Sequence, residues 1–129
     1  MTAAELLAFQ IDDAGYQLEQ CFAGLKADQL NTRLEGAMSP IEVVDHLSEC
    51  YVAATTEIAG ESYKWGSTPP IEGSWDERLA RWRTLRAAAR EAAISGDDKA
   101  LKEGNSYIVG HDYYHVGPLC HLRLHLDPE

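Results

Sequence analysis

Apolar residues return at spacings of three and four through four separate stretches of this chain, and Gly-, Pro- and Ser-rich segments divide the stretches. That period is helical, so each stretch has to bury one stripe against a neighbouring helix. The first stretch runs from about Thr2 to Leu25, with Leu7, Ile11, Ala14, Leu18, Cys21, Phe22 and Leu25 on its stripe. Thr2 with Glu5 three residues later has the form of a capping box. The second runs from Pro40 to Ala59 and carries Ile41, Val44, Leu47, Tyr51, Ala54 and Ile58. Ser39 is its cap, Glu42 completes a second box, and Pro40 suits the first helical position, where no N–H is required. Gly60 is placed to end it.

Residues 60–74 hold Pro69-Pro70, which excludes a helix. They read as a loop over one end of the molecule, anchored by Trp65. The third stretch runs from Trp75 to Ser95 behind Ser74, with Leu79, Trp82, Leu85, Arg86, Ala89 and Ala93 on one side, and Gly96 ends it. The fourth is expected over Asn105–Leu126, capped by Asn105 or Ser106, with Pro128 beyond its end. No segment alternates as a strand does. The expectation is an all-α, four-helix bundle in a single domain, 1–129, with helices about 30 Å long. The connections permit either antiparallel neighbours or one crossover.

Composition narrows the function classes. At 129 residues and 45% hydrophobic content the chain can bury a core. It has no apolar run of membrane-spanning length, so no membrane partner is expected. The N-terminus lacks the basic-then-apolar pattern of a secretory signal. Three cysteines, Cys21, Cys50 and Cys120, lack CxxC spacing and read as small core residues of a protein kept reduced; a cytoplasmic location is expected. The formal charge of -10 argues against nucleic acid as a partner. The stretch containing Arg78, Arg81, Arg83, Arg86 and Arg90 is interleaved with acids and reads as a solvated helix face.

The chemistry concentrates in GHDYYHVGPLCHLRLHL. His111 and His115 are four apart and share a face with Ile108, Leu119 and Leu122, so both point inward. Two inward imidazoles need partners, because an unsatisfied buried polar nitrogen costs about 1–3 kcal/mol. A metal ion would satisfy both, as would hydrogen bonds to a neighbouring helix. His46, on the border of the second stripe with Val43, Cys50 and Ala53, is the candidate third ligand; alone it would read as a hydrogen-bonded core histidine. Cys50, one turn later, either packs or faces the ion. His121 and His125 form a second four-spaced pair, which reads as compensation of the helix C-terminal dipole or as a surface metal contact. HDYYH has Asp where a metalloprotease helix has Glu and no recognisable further ligand, so a protease is not expected.

The segments SPIEVVDHLSECY (Ser39–Tyr51) and GHDYYHVGPLCHLR (Gly110–Arg123), with a tryptophan-bearing helix between them, resemble the DinB/YfiT-like superfamily of metal-dependent proteins. The resemblance spans nearly the whole chain. It implies four main helices and a divalent metal site on His46, His111 and His115, with zinc, nickel, iron or manganese as the ion. It also implies homodimers in some members, and activities that include S-transfer from bacillithiol or mycothiol and maleylpyruvate isomerisation. Pro118 stands where Gln commonly follows in that motif; it removes a helical hydrogen bond and is expected to kink the helix.

The corresponding mechanism is activation of a low-molecular-weight thiol for attack on a small electrophilic substrate. Metal-water hydrolysis, and a non-enzymatic metal-binding or dimerising bundle, are the alternatives. Asp45, Glu49, Asp112 and Tyr114 are candidates for orienting a ligand imidazole; each also suits a polar surface.

Overall fold

Three helices open on reciprocal capping boxes. Thr2 Oγ1 accepts from Glu5 N at 3.1 Å, Ser39 Oγ from Glu42 N at 3.3 Å, and Ser74 Oγ from Glu77 N at 3.1 Å, while each glutamate accepts from its cap residue's own N–H. Such caps satisfy backbone donors that the first turn leaves unpaired. In the computed structural model, which describes residues 1–127, the helices are α1 (Ala3–Phe22), α2 (Pro40–Ile58), α3 (Trp75–Ile94), α4 (Asp98–Gly104) and α5 (His111–Leu126). A short 3-10 turn covers Ala27–Gln29, and a π-helical segment, Asn105–Gly110, joins α4 to α5. No described helix is long and apolar enough to cross a membrane.

The fourth rod differs from its expected bounds. It begins at Asp98, and its cap is Asp97, whose side chain accepts from Ala100 N at 3.1 Å. Asn105 and Ser106 lie inside the rod instead of capping it. Gly104 there marks a close approach: a Cβ would come within 2.5 Å of Ala93 Cβ on α3. α5 continues through Pro118 to Leu126. Pro128 lies outside the described residues.

Pairwise contacts set the topology. Asp13 meets Tyr113 and Cys21 meets Cys120, so α1 and α5 run parallel. Asp45 meets Arg78 and Tyr51 meets Trp82, so α2 and α3 are also parallel. Asp12 meets Arg90 and Glu19 meets Arg83, which makes α1 and α3 antiparallel. His46 lies beside His115 and Tyr51 bonds Asp112, which makes α2 and α5 antiparallel. The order is up, down, down, up, with α1 and α2 at opposite corners. Residues 60–74 are therefore the crossover, and residues 23–39 join diagonal corners. Glu49 holds the crossover, accepting from Tyr63 Oη at 2.8 Å and Gly66 N at 2.7 Å. Trp65 is about half exposed and lies against Tyr63 and Tyr107.

The core joins Leu7, Ile11, Leu18 and Phe22 to Val44, Leu47, Tyr51, Trp82, Ile108 and Leu119. The arginines of α3 are only in part a solvated face: Arg83 is exposed, whereas Arg78 and Arg86 are mostly covered. Arg78 bonds Asp45 of α2; Arg83 and Arg90 pair with Glu19 and Asp12 of α1; Arg81 reaches the Pro69 carbonyl. Arg86 is largely buried: its Nη2 bonds Asp112 Oδ2 at 2.7 Å and the Ile11 carbonyl. It reaches α1 because Gly15 has no side chain; a Cβ there would sit 2.6 Å from Arg86 Nη1. Gly15→Ala should therefore reverse the usual gain of about 0.5–1 kcal/mol for replacing a helix-interior glycine. A loss of about 1–3 kcal/mol in urea unfolding is expected, the range for overpacking; a more stable variant would show that the guanidinium does not need that space.

Candidate metal centre

α2 carries His46 and the antiparallel α5 carries His111 and His115, and all three line one open cleft of about 390 Å³ with Met38, Ser106, Gly110 and Tyr114. The His46 ring centroid is 5.4 Å from that of His115 and 6.0 Å from that of His111. His46 and His111 are half-buried and His115 is buried.

The π-helical segment positions His111. Its Nδ1 lies 3.0 Å from the carbonyl oxygen of Ser106, five residues earlier. A carbonyl can only accept, so Nδ1 carries the proton and Nε2 keeps its lone pair for a ligand. A ring held this way is prepared for metal binding. Tyr107 stacks on the same ring, with centroids 6.2 Å apart and planes within 7°, and Trp65 of the crossover lies over Tyr107. π-turns within helices often occur at functional sites.

The tightest donor group adds a residue read from sequence chiefly as packing. One donor atom each of His46, Cys50 and His111 lies within 4.8 Å of the others, and Cys50 Sγ is 3.6 Å from His46 Nε2. This His–Cys–His group could hold a metal ion. His115 is outside that trio, although its ring lies beside His46 in the same cleft. The signal for Cys50 was present in the sequence: it follows His46 by four residues, as His115 follows His111.

A family model described as the DinB superfamily matches residues 10–118. The chain belongs to the DinB superfamily. No curated protein and no solved structure gave a significant match.

In this DinB-superfamily chain the carboxylates near the cleft have structural partners. Asp112 is fully buried and points into the core, where it accepts from Tyr51 Oη at 2.5 Å and from Arg86. Asp45 pairs with Arg78, and Glu49 holds the crossover. Tyr114 is exposed and meets the His115 ring edge to face. His121 and His125 are both exposed, with rings 4.9 Å apart in the last turns of α5, apart from the cleft lining.

Burial, with neighbouring His46 and His111, lowers the His115 pKa to about 4. Burial and His111 lower that of His46, opposed by Glu49. Both are therefore neutral at pH 7, the state a metal requires. Cys50 is pushed up to about 12 by burial, then by Asp112 and Glu49, so without a cation it holds its proton.

These shifts set a pH dependence for the metal-free DinB bundle. In the unfolded chain each histidine titrates near about 6.5. Between that pH and about 4 the unfolded state binds more protons, so stability rises with pH in this window. The urea midpoint of the metal-free protein should be level above about pH 7.5 and fall steadily from about pH 6.5 toward about 4. His115→Gln should flatten that slope. An equally steep fall in the variant would assign the dependence to other groups.

Proposed function

We propose that this chain holds one divalent cation (zinc, nickel, iron or manganese) through His46, His111 and His115. We further propose that the centre serves transfer of a low-molecular-weight thiol, of the bacillithiol or mycothiol type, to a small electrophile. The observation that carries this reading is the opening of three imidazoles, from two antiparallel helices, onto one solvent-accessible cleft. Histidine and divalent cations of this kind suit each other chemically, and a three-ligand site leaves room for an exogenous group. His115 is favoured over Cys50 as third ligand because it is already neutral at pH 7, whereas Cys50 must lose a proton against its burial.

The chain's own side chains support this chemistry by placement. The Ser106 carbonyl fixes the tautomer of His111. Neutral ligands bring no negative charge to the centre. When bound, the cation supplies the charge that favours the thiolate form of a substrate thiol. Met38 and Tyr114, both exposed at the cleft, offer apolar contact to the electrophile.

The competing reading is a metal-binding bundle without turnover. It draws on the engagement of Asp45, Glu49 and Asp112 in structural contacts, which leaves the cleft lining, among the described residues, without a carboxylate to act as general base. That same feature weighs against metal-assisted hydrolysis.

Purified protein should contain about one transition-metal ion per chain by mass spectrometry. His46→Ala and His115→Ala should lose it, with affinity falling by more than the roughly 10–100-fold typical of removing an outer partner. Cys50→Ser should retain it. Full metal in His115→Ala with loss in Cys50→Ser would move the third ligand to the thiol. Metal-loaded protein should then transfer bacillithiol or mycothiol to a chlorinated or epoxide acceptor. Stoichiometric metal without turnover on either thiol would favour the binding module.

A further inference from the structure

Two thiols outside the metal centre face each other across the seam between α1 and α5. Cys21 Sγ and Cys120 Sγ are 3.7 Å apart, although the residues are 99 positions apart in sequence. Cys21 is buried and Cys120 is exposed. The two helices are held level at this point by Arg123, whose Nη1 donates to the carbonyl of Cys21 at 2.9 Å and to that of Ala23 at 2.6 Å. A disulfide needs sulfurs about 2.05 Å apart. The two sulfurs must therefore close from 3.7 Å to that length. An open groove lined by Gln17, Gln20, Val116 and Leu124 leads to the pair, so a small solute can reach Cys120.

We propose that Cys21 and Cys120 are a redox couple that closes to an intramolecular disulfide when hydrogen peroxide oxidises the exposed thiol. The thiolate of Cys120 attacks one peroxide oxygen, the O–O bond breaks, and hydroxide leaves; Cys120 is now a sulfenic acid. Cys21 sulfur then attacks Cys120 sulfur, the S–O bond breaks, and the departing hydroxide takes up the proton that Cys21 releases. The net reaction converts two thiols and one peroxide to one disulfide and two waters. Sulfur is oxidised and peroxide oxygen is reduced.

Burial supports this division of roles. It is the first cause that raises Cys21 to about 12, and the charge and hydrogen bond of Cys120 raise it further, opposed by Arg123. Cys21 therefore stays protonated while Cys120 meets the oxidant. Conversion of Cys120 to an uncharged sulfenic acid removes the repulsion that its thiolate exerts on Cys21.

The full-length, metal-loaded chain should be treated with hydrogen peroxide and its thiols counted after denaturation. Two of its three thiols should disappear, the monomer should lose the mass of two hydrogens, and peptide mapping should join Cys21 to Cys120. Dithiothreitol should restore all three thiols. The urea midpoint should rise on oxidation, since the cross-link restricts the unfolded chain, and fall back on reduction. Cys50→Ser should still form the link. Cys120→Ser should leave Cys21 reduced under the same treatment. A sulfinic acid on Cys120 beside a free Cys21, a disulfide-linked dimer, or a bridge to Cys50 would each overturn the assignment.

Discussion

The Arg86–Asp112 ion pair is the point at which all four rods meet. Arg86 comes from α3, lies over Gly15 and bonds a carbonyl of α1; its partner Asp112 belongs to α5 and also accepts from Tyr51 of α2. Trp82 Nε1 donates to Tyr51 Oη at 3.1 Å and completes the network. A buried pair of this kind gives little net stability over a well-packed apolar substitute, but loss of either partner strands a charge at a cost of about 3–5 kcal/mol. Its value lies in specification: few other packings would satisfy both groups. Arg86 Nε finds no partner among the described residues.

That constraint reaches the cleft through the pitch of α5. With Asp112 turned into the core, the adjacent His111 lies at the border of the buried face and His115 falls just over one turn beyond His111. The rotation that buries the carboxylate is thus the rotation that presents both imidazoles toward His46. The π-segment just before them adds the Ser106 contact that sets the His111 proton. Stability and ligand geometry are therefore carried by neighbouring residues of one helix, on different sides of it.

Three of the helices were legible in the sequence because their start signals are complete, with Ser or Thr at the cap and Glu three residues later. The fourth was misplaced at its start because Gly104 looks like punctuation, whereas it permits contact with Ala93. No local pattern announces a π-turn. Topology was not legible either, since loops of these lengths fit both arrangements. For the cleft, four-residue spacing put His111 and His115 on one helix face, and the His46 ring centroid lies 6.0 and 5.4 Å from theirs. Cys50 was visible by the same rule but has the character of a core residue. Asp112 and Arg86 were harder: a charged residue in an apolar stripe reads as exposed until its partner, on another helix, is known.

The parallel pairing of α2 with α3 has a consequence for assembly. Neighbours joined by a tight turn can associate as soon as both exist, but here residues 60–74 must travel back along the bundle before α3 can dock. His46 is meanwhile without company, because the helix bearing the other imidazoles leaves the ribosome later. Closing so long a segment of chain is entropically slow, and local contacts cannot substitute for it. A nascent chain cut short before His111 would lack two of the three proposed ligands, so capture of the ion by that triad would report that synthesis had passed that point.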